Sequence, residues 1–153
     1  MSSTDALLSA RGLRKQYGAL VVLDGVDFEV RRGDAIGIVG PNGAGKTTLL
    51  SVLSGSQAAS AGTVQFKGQD IASLDAARRC RMGIVRTHQV PQPFSGMTVF
   101  ENVFTAATHG GGFRQSEAYA RCIEAIELCG MTKVANRRAE TLGLLDRKRL
   151  ELT

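Results

Sequence analysis

The sequence predicts an α/β fold, in which a mixed sheet with flanking helices is followed by a mainly helical region. Short strand-like runs separated by turns fill residues 7–39. A glycine-rich loop at residues 40–48 then joins an apolar run to a helical pattern, and helical periodicity dominates from residue 98 onward. We therefore divide the chain into a sheet region, residues 1–97, and a helical region, residues 98–153.

The elements before the glycine-rich loop are predicted to be strands. The segment "VDFEV" alternates apolar and polar residues, as a half-buried strand does, and "RRGD" after it is typical of a turn. The next run, "AIGIV" at residues 35–39, contains no polar side chain, so both faces of a strand formed by it would be apolar. This pattern predicts a strand buried on both faces, as in a parallel sheet.

The elements after the loop alternate between helix and strand. Residues 47–53 carry leucines on one side and precede Gly55, which predicts a short helix with a glycine stop. We predict a strand for "GTVQFKG", a basic helix for "SLDAARRCR" and a further strand for "GIVRTHQ". The following "VPQPFSGM" contains two prolines and is predicted to be a loop.

The helical region begins with a recognisable helix start. In "TVFE" the Thr98 hydroxyl can accept the amide of Glu101, while the Glu101 carboxylate can accept the amide of Thr98. A second helix is predicted over residues 116–129, with Gly130 as its stop. One face of it carries apolar residues at helical spacing: Tyr119, Cys122, Ile123, Ile126 and Cys129.

Composition excludes several classes of protein. The chain has 153 residues, of which 43% are hydrophobic and 22% charged, as in an ordinary globular domain. Its net charge of +5 is dispersed over the clusters "RRGD", "ARRCR" and "DRKR". We interpret these clusters as solvated faces and predict no nucleic-acid partner. The three cysteines lack metal-ligand spacing, and neither a spanning apolar stretch nor a basic leader is present, which predicts a cytoplasmic protein.

The glycine-rich loop predicts a phosphate-binding site. Its residues fit the pattern GxxxxGK[ST], with an apolar run before it and a helical pattern after it. Glycines permit the positive φ angles that turn backbone amides toward one anion, and the helix N-terminus adds partial positive charge. A lysine and a threonine at these positions bridge terminal phosphates and bind Mg²⁺. The predicted nucleotide-binding residues are Gly40, Pro41, Asn42, Gly43, Ala44, Gly45, Lys46, Thr47 and Thr48.

A tight glycine turn between strand and helix is the alternative interpretation of this loop. It accounts for the glycines, but it leaves Lys46 without a partner. We therefore favour the phosphate site.

The sequence around the loop resembles a known family. The stretch "LRKQYGALVVLDGVDFEVRRGDAIGIVGPNGAGKTTLLSVLSG" is similar to the opening of the ATP-binding subunits of ABC transporters. Further on, "RTHQ" and "FSGMTVFENV" resemble the subfamily that serves importers of branched-chain amino acids and related amides or urea. The resemblance implies a P-loop NTPase core followed by a helical subdomain. It also implies ATP and Mg²⁺ as cofactors and ATP hydrolysis coupled to solute uptake.

The resemblance assigns roles to two residues outside the loop. Tyr17 matches the aromatic residue that stacks on adenine, although a half-buried strand tyrosine is the plainer alternative. Gln89 matches the family's catalytic Q-loop glutamine, which contacts Mg²⁺ and the attacking water. The predicted metal ligands are therefore Thr47 and Gln89. Gln92, three positions later, could be mistaken for this glutamine, and either residue could be an ordinary loop glutamine.

The resemblance also implies partners. The helical subdomain is expected to dock on transmembrane permease subunits, and a second ATP-binding subunit, identical or different, is expected to complete a dimer. The protein would then be peripheral to the inner face of the plasma membrane. An ABC protein acting on nucleic acid would need a basic groove or a coiled-coil insertion, and a generic P-loop kinase or GTPase would leave Tyr17 and the "RTHQ" block unexplained.

The resemblance weakens near the end of the sequence. The family's signature, LSGGQ in its common form, is replaced by "LGLLD", in which only Leu142 agrees. A carboxylate at Asp146 would repel a triphosphate, so we expect a weakened signature contact.

The sequence printed ends at Thr153, before the family's Mg²⁺-binding aspartate, catalytic glutamate and switch histidine. We therefore expect an N-terminal fragment whose core lacks its C-terminal part. A nucleotide-binding module without turnover is the alternative to an ATPase subunit.

Overall fold

The computed structural model of the chain describes residues 6–153. They form two compact units, one ending at Ile84 and one running from Val85 to Thr153. The boundary after Ile84 lies earlier in the chain than the predicted boundary between residues 97 and 98. Residues 85–97 belong to the second unit because they bond to its helical elements. For example, the amide of Ala139 donates to the Met97 carbonyl at 2.9 Å.

The first unit contains a four-stranded sheet. Its strands are β1 (Ala6–Tyr17), β2 (Leu20–Arg31), β3 (Ala61–Phe66) and β4 (Gln69–Asp70), in the order β2-β1-β3-β4. All pairings are antiparallel, and Ala10 of β1 lies opposite Phe28 on one side and Val64 on the other. The α/β class predicted from sequence is confirmed. The strand predicted as "VDFEV" lies within β2, and β3 contains the first five residues of "GTVQFKG", whose last two form a turn.

Two predicted strands are wrong. Residues 35–39 and 83–89 are not part of the sheet in the described chain, and Ile36 and Val39 are 47% and 92% exposed. A parallel strand forms only beside a neighbour that supplies its hydrogen bonds. Every strand pairing found within residues 6–153 is antiparallel, so the apolar run at 35–39 reaches the loop as irregular chain.

Two helices complete the first unit. Helix α1 (Lys46–Leu53) packs Leu49, Val52 and Leu53 into the core beneath the sheet, and α2 (Ala76–Met82) is capped by the Asp75 carboxylate. Arg79 of α2 is only 2% exposed, so the solvated-face interpretation of "ARRCR" is wrong for this residue. Its burial lowers the pKa of the guanidinium, and the Asp70 carboxylate opposes that shift.

The second unit is helical. It contains α3 (Val99–Thr105), a π-helical turn (Ala106–Gly110), α4 (Gln115–Leu128) and α5 (Leu144–Leu152). The predicted capping box is confirmed, with the Glu101 amide 3.1 Å from Thr98 Oγ1 and the Thr98 amide 2.7 Å from Glu101 Oε2. The buried core of the second unit consists of Val99, Val103, Cys122, Ile126, Met131, Ala139, Leu142 and Leu150.

The buried face of α4 is narrower than predicted. Ala118, Cys122 and Ile126 are buried at four-residue spacing, whereas Tyr119 and Ile123 are exposed. Burial raises the pKa of the Cys122 thiol, and the cysteines in this structure are free. In residues 6–153 we find no helix long and apolar enough to cross a membrane.

Candidate functional site

The glycine-rich loop approaches β2 so closely that Gly45 cannot carry a side chain. Gly45 has φ 82° and forms the N-cap of α1. A Cβ atom there would lie 2.9 Å from the carbonyl oxygen of Val22 and from Cδ2 of Leu23. Both positive φ and lack of space thus require glycine. Gly43 also has positive φ, 85°, but a Cβ there would meet nothing within 4 Å.

The Lys46 ammonium is held by the loop itself. Its Nζ donates to the carbonyl oxygens of Gly40 and Pro41, each at 2.7 Å, and the side chain is half-buried. Both acceptors are neutral backbone carbonyls, so neither hydrogen bond neutralises the positive charge of Lys46. The loop therefore presents a cation that a phosphate oxygen can reach by replacing weak neutral acceptors.

Helix α1 begins without a side-chain cap. Gly45 offers no capping oxygen, and the first turn contains no acidic residue. The first helical bond runs from the Leu49 amide to the Gly45 carbonyl at 2.8 Å, so the amides before it are not used by the helix. Thr47 is exposed and Thr48 half-buried at this end. Free amides, the helix dipole and Lys46 together favour an anion with several oxygens.

Tyr17 lies in the same unit as the loop, at the end of β1. Its side chain is 45% exposed, and its hydroxyl donates to Oε1 of Gln57. The ammonium of Lys15 lies 4.9 Å from the ring centroid. Gln57 was not identified from the sequence because it is 40 residues from Tyr17 and carries no motif.

Gln89 lies in the second unit, at an exposed bend. The residue before it, His88, donates its amide to Oε1 of Glu151 at 2.5 Å, and the His88 Nδ1 lies 3.4 Å from the same oxygen. Gln92, the alternative glutamine, is also exposed. The predicted site residues thus divide between the units: the loop and Tyr17 in the first, Gln89 in the second. Glu151, 63 residues from His88, was not foreseen from the sequence.

The signature region forms the start of α5. Gly143 is the N-cap and provides no side-chain oxygen, and the side chains of Leu144 and Leu145 are exposed. Asp146 lies in the first turn, where its carboxylate complements the helix dipole, and it pairs with Arg149 at 3.4 Å. Leu142 is buried in the core of the second unit.

Comparison with known proteins assigns the family. The sequence profile of the ABC transporter family matches residues 23–153, which include the loop, Gln89 and the start of α5. The chain belongs to the ABC transporter family. The resemblance to ABC transporter subunits, which was inferred from the motifs, is therefore confirmed.

ABC transporter subunits with assigned transport roles are among its relatives. The chain is 35% identical to the "High-affinity branched-chain amino acid transport ATP-binding protein LivG" of Escherichia coli K12 and 34% identical to the LivG protein of Salmonella typhimurium. It is 32% identical to the corresponding BraF protein of Pseudomonas aeruginosa. Each match covers 95% of this chain and 63% of the relative. The chain thus spans less than two thirds of the length of these relatives.

Solved ABC cassettes share the fold. A crystal structure of an ATP-binding cassette in its ADP conformation superposes with a TM-score of 0.79 at 30% identity, covering 96% of this chain and 63% of that one. A nucleotide-free cassette gives a TM-score of 0.75 at 29% identity, covering 96% of this chain and 66% of that one. The P-loop NTPase fold class is therefore confirmed.

The residues of this ABC family chain fit a Mg²⁺-bound nucleotide. The loop provides a cation, uncapped amides and a threonine hydroxyl at one helix end. Within residues 6–153 no group of three or more histidine, cysteine or carboxylate side chains could hold a metal ion. Thr47 would be the loop residue whose hydroxyl holds a Mg²⁺ ion that accompanies the nucleotide.

Proposed function

We propose that the glycine-rich loop binds Mg·ATP. The observation that carries this proposal is the position of the Lys46 ammonium, 2.7 Å from the Gly40 and Pro41 carbonyls beside the uncapped start of α1. In the proposal Lys46 contacts the terminal phosphates and Thr47 the metal ion. The remaining loop residues contribute amides or close approach: Gly40, Pro41, Asn42, Gly43, Ala44, Gly45 and Thr48.

We also propose roles for Tyr17 in binding the adenine base and for Gln89 in ATP hydrolysis. Tyr17 would stack on adenine, which its partly exposed ring supports. Gln89 would contact Mg²⁺ and the attacking water, which its exposed position on a bend permits. The sheet region, residues 1–97, would provide most of the nucleotide site, and the helical subdomain, residues 98–153, the contacts to other subunits.

We further propose that the chain is the ATP-binding component of an importer. The support is its similarity to proteins described as branched-chain amino acid transport ATP-binding proteins. The solute would be a branched-chain amino acid or a related amide. Transmembrane permease subunits and a second ATP-binding subunit would be its partners, and ATP hydrolysis in that assembly would power uptake. The protein would lie on the cytoplasmic face of the membrane.

Calorimetry with Mg²⁺ and a non-hydrolysable ATP analogue tests the binding proposal. Lys46→Ala should weaken binding about 10- to 100-fold, because a charge-assisted hydrogen bond to phosphate is lost. Lys133→Ala is the matched control, since Lys133 is exposed and lies in the other unit. Equal affinities for the wild type and Lys46→Ala would contradict the proposal.

The start of α5 favours a second candidate, a nucleotide-binding module without turnover. Leu144, Leu145 and Asp146 replace small or neutral residues of the common signature, and the Asp146 carboxylate lies in the first turn. A negative charge there opposes the approach of a triphosphate held by another subunit. Multiple-turnover phosphate release, measured on the assembled subunits, distinguishes the two candidates.

A further inference from the structure

The end of β1 is tied to the chain that follows α1. Four hydrogen bonds connect them, and three of these involve backbone atoms. They run from Tyr17 Oη to Gln57 Oε1, from Lys15 Nζ to the Ala58 carbonyl at 2.8 Å, from the Gln16 amide to Ser60 Oγ at 3.1 Å, and from the Ser60 amide to the Arg14 carbonyl at 2.8 Å. The end of β1 that carries the tyrosine is therefore bonded to residues 57–60 in addition to its pairing with β2.

Gln57 is itself fixed to α1. Its amide donates to the Ser51 carbonyl at 3.1 Å, and its side chain is half-buried. Helix α1 begins at Lys46, so it carries the predicted phosphate contacts at one end and the anchor of Gln57 near the other. Eight residues of helix are only about 12 Å long. Hydrogen bonds thus lead from Tyr17 through Gln57 to the helix that begins at the proposed phosphate site.

One face of the Tyr17 ring carries a cation, and the residue as a whole is partly exposed. The Lys15 ammonium lies 4.9 Å from the ring centroid while bonded to the Ala58 carbonyl, so the cation is held over one face. The side chain nevertheless remains 45% exposed. A flat aromatic ligand that stacked on the face opposite Lys15 would leave this cation contact in place.

We propose that Gln57 is a positioning residue for base recognition. By accepting the Tyr17 hydroxyl, it holds the ring in one orientation, on which a purine base would stack. A ring that is already oriented loses less side-chain entropy when the base stacks, which raises affinity for the base and leaves phosphate binding unchanged. This inference rests on the proposed function, in which Tyr17 stacks on adenine.

The test compares two ligands that differ in the base. Binding of a non-hydrolysable ATP analogue and of inorganic tripolyphosphate, each with Mg²⁺, is measured by calorimetry on the full chain. Gln57→Met keeps the length of the side chain but removes the acceptor, and it should weaken analogue binding about two- to tenfold. Tripolyphosphate affinity should stay the same. Gln65→Met, at an exposed position of β3, is the matched control and should bind both ligands like the wild type.

A double-mutant cycle separates positioning from a general structural effect. In a Tyr17→Phe background the hydroxyl is absent, so Gln57→Met should have no further effect on analogue binding. Weakening of both ligands by Gln57→Met, or an unchanged analogue affinity, would overturn the inference. If the wild type binds tripolyphosphate but Tyr17→Ala loses no analogue affinity, the stacking role is wrong. If the wild type binds neither ligand, the proposed function itself fails.

Discussion

The Nη1 atom of Arg79 lies 2.8 Å from the carbonyl oxygen of Val52, in the last turn of α1. The same nitrogen donates to the Leu53 carbonyl at 2.9 Å, and the other guanidinium nitrogens donate to the carbonyls of Ala72 and Leu74. Carbonyls at a helix end have no partner within the helix, and a cation there complements the dipole. Arg79 thus stabilises the end of α1 opposite the glycine-rich loop.

Arg79→Lys should destabilise the protein by about 2 to 4 kcal/mol. An ammonium cannot reproduce the planar fork that satisfies four carbonyls, so buried oxygens lose their donors. Urea unfolding followed by circular dichroism measures the change. The control is Arg78→Lys, because Arg78 is the exposed neighbour on the same helix. Equal unfolding midpoints for both variants would contradict the capping role.

Gly45→Ala should be more harmful than Gly43→Ala. Both positions have φ above 80°, so both substitutions cost about 1 kcal/mol or more in backbone strain. Only at Gly45 would the new methyl group also approach the Val22 carbonyl to 2.9 Å. We expect Gly45→Ala to abolish binding of the Mg²⁺-bound ATP analogue and to lower the unfolding midpoint. A Gly43→Ala variant that is the more damaged of the two would show that this packing is unimportant.

The buried Asn102 should hold the segment before α3 in place through its side-chain hydrogen bonds. Its Oδ1 accepts the Phe94 amide at 2.7 Å, and its Nδ2 donates to the carbonyls of Phe94 and Thr98. Asn102→Leu removes all three bonds, and we expect a loss of about 1 to 3 kcal/mol. Hydrogen exchange of the Phe94 amide should accelerate at least tenfold. Asn136→Leu, at an exposed position in the same unit, should leave that amide protected.

Glu101 should stabilise the fold at neutral pH and should lose this effect at acid pH. The bond from the Thr98 backbone amide lowers the pKa of this carboxyl group, as does the Thr98 hydroxyl. A lowered pKa stabilises the folded state above the unfolded value of about 4.3, and this contribution is lost as the pH falls through the folded pKa. Glu101→Gln should therefore unfold at lower urea than the wild type at pH 7.

The difference between Glu101→Gln and the wild type should shrink once the pH falls below about 4.3 and through the folded pKa. Glu127→Gln, an exposed change on α4, provides the control. A Glu101→Gln difference that stays constant over this pH range would show that the ionised capping box does not stabilise the fold.

Glu151 should restrain the segment that carries Gln89. Its carboxylate accepts the His88 amide at 2.5 Å, so it links this segment to α5. Glu151→Leu should expose the His88 amide to exchange, whereas Glu151→Gln should largely preserve its protection because an amide oxygen can still accept the bond. Peptide-resolved hydrogen exchange over residues 86–90 measures this. Equal exchange in the two variants would assign the effect to charge or packing at α5.

Local sequence rules predicted those elements whose partners are near in sequence. The helix after the glycine loop, the capping box at Thr98 and the helix ending before Gly130 were all predicted, and each depends on residues within a few positions. The sequence argument that a plain glycine turn would leave Lys46 without a partner is wrong, because the Gly40 and Pro41 carbonyls accept its ammonium. The phosphate role of Lys46 stays a prediction.

The features that the sequence did not predict involve partners that are distant along the chain. The apolar run at residues 35–39 has the composition of a buried strand, but composition does not specify which neighbour supplies hydrogen bonds. Arg79 was interpreted as solvated because the carbonyls that it satisfies lie up to 27 residues away. Gln57 and Glu151 share this property, since each meets its partner across a gap of 40 or more residues.

The two carbonyl contacts of Lys46 have a consequence for selectivity. Any incoming anion must compete with oxygens that the loop already offers to its own ammonium. A singly charged ion such as chloride gives little in exchange for breaking two hydrogen bonds. If the loop binds polyphosphate as proposed, a chain of phosphates would reach the lysine and the first amides of α1 at once and would recover what is lost. The loop would then discriminate against small, abundant anions in favour of polyphosphates.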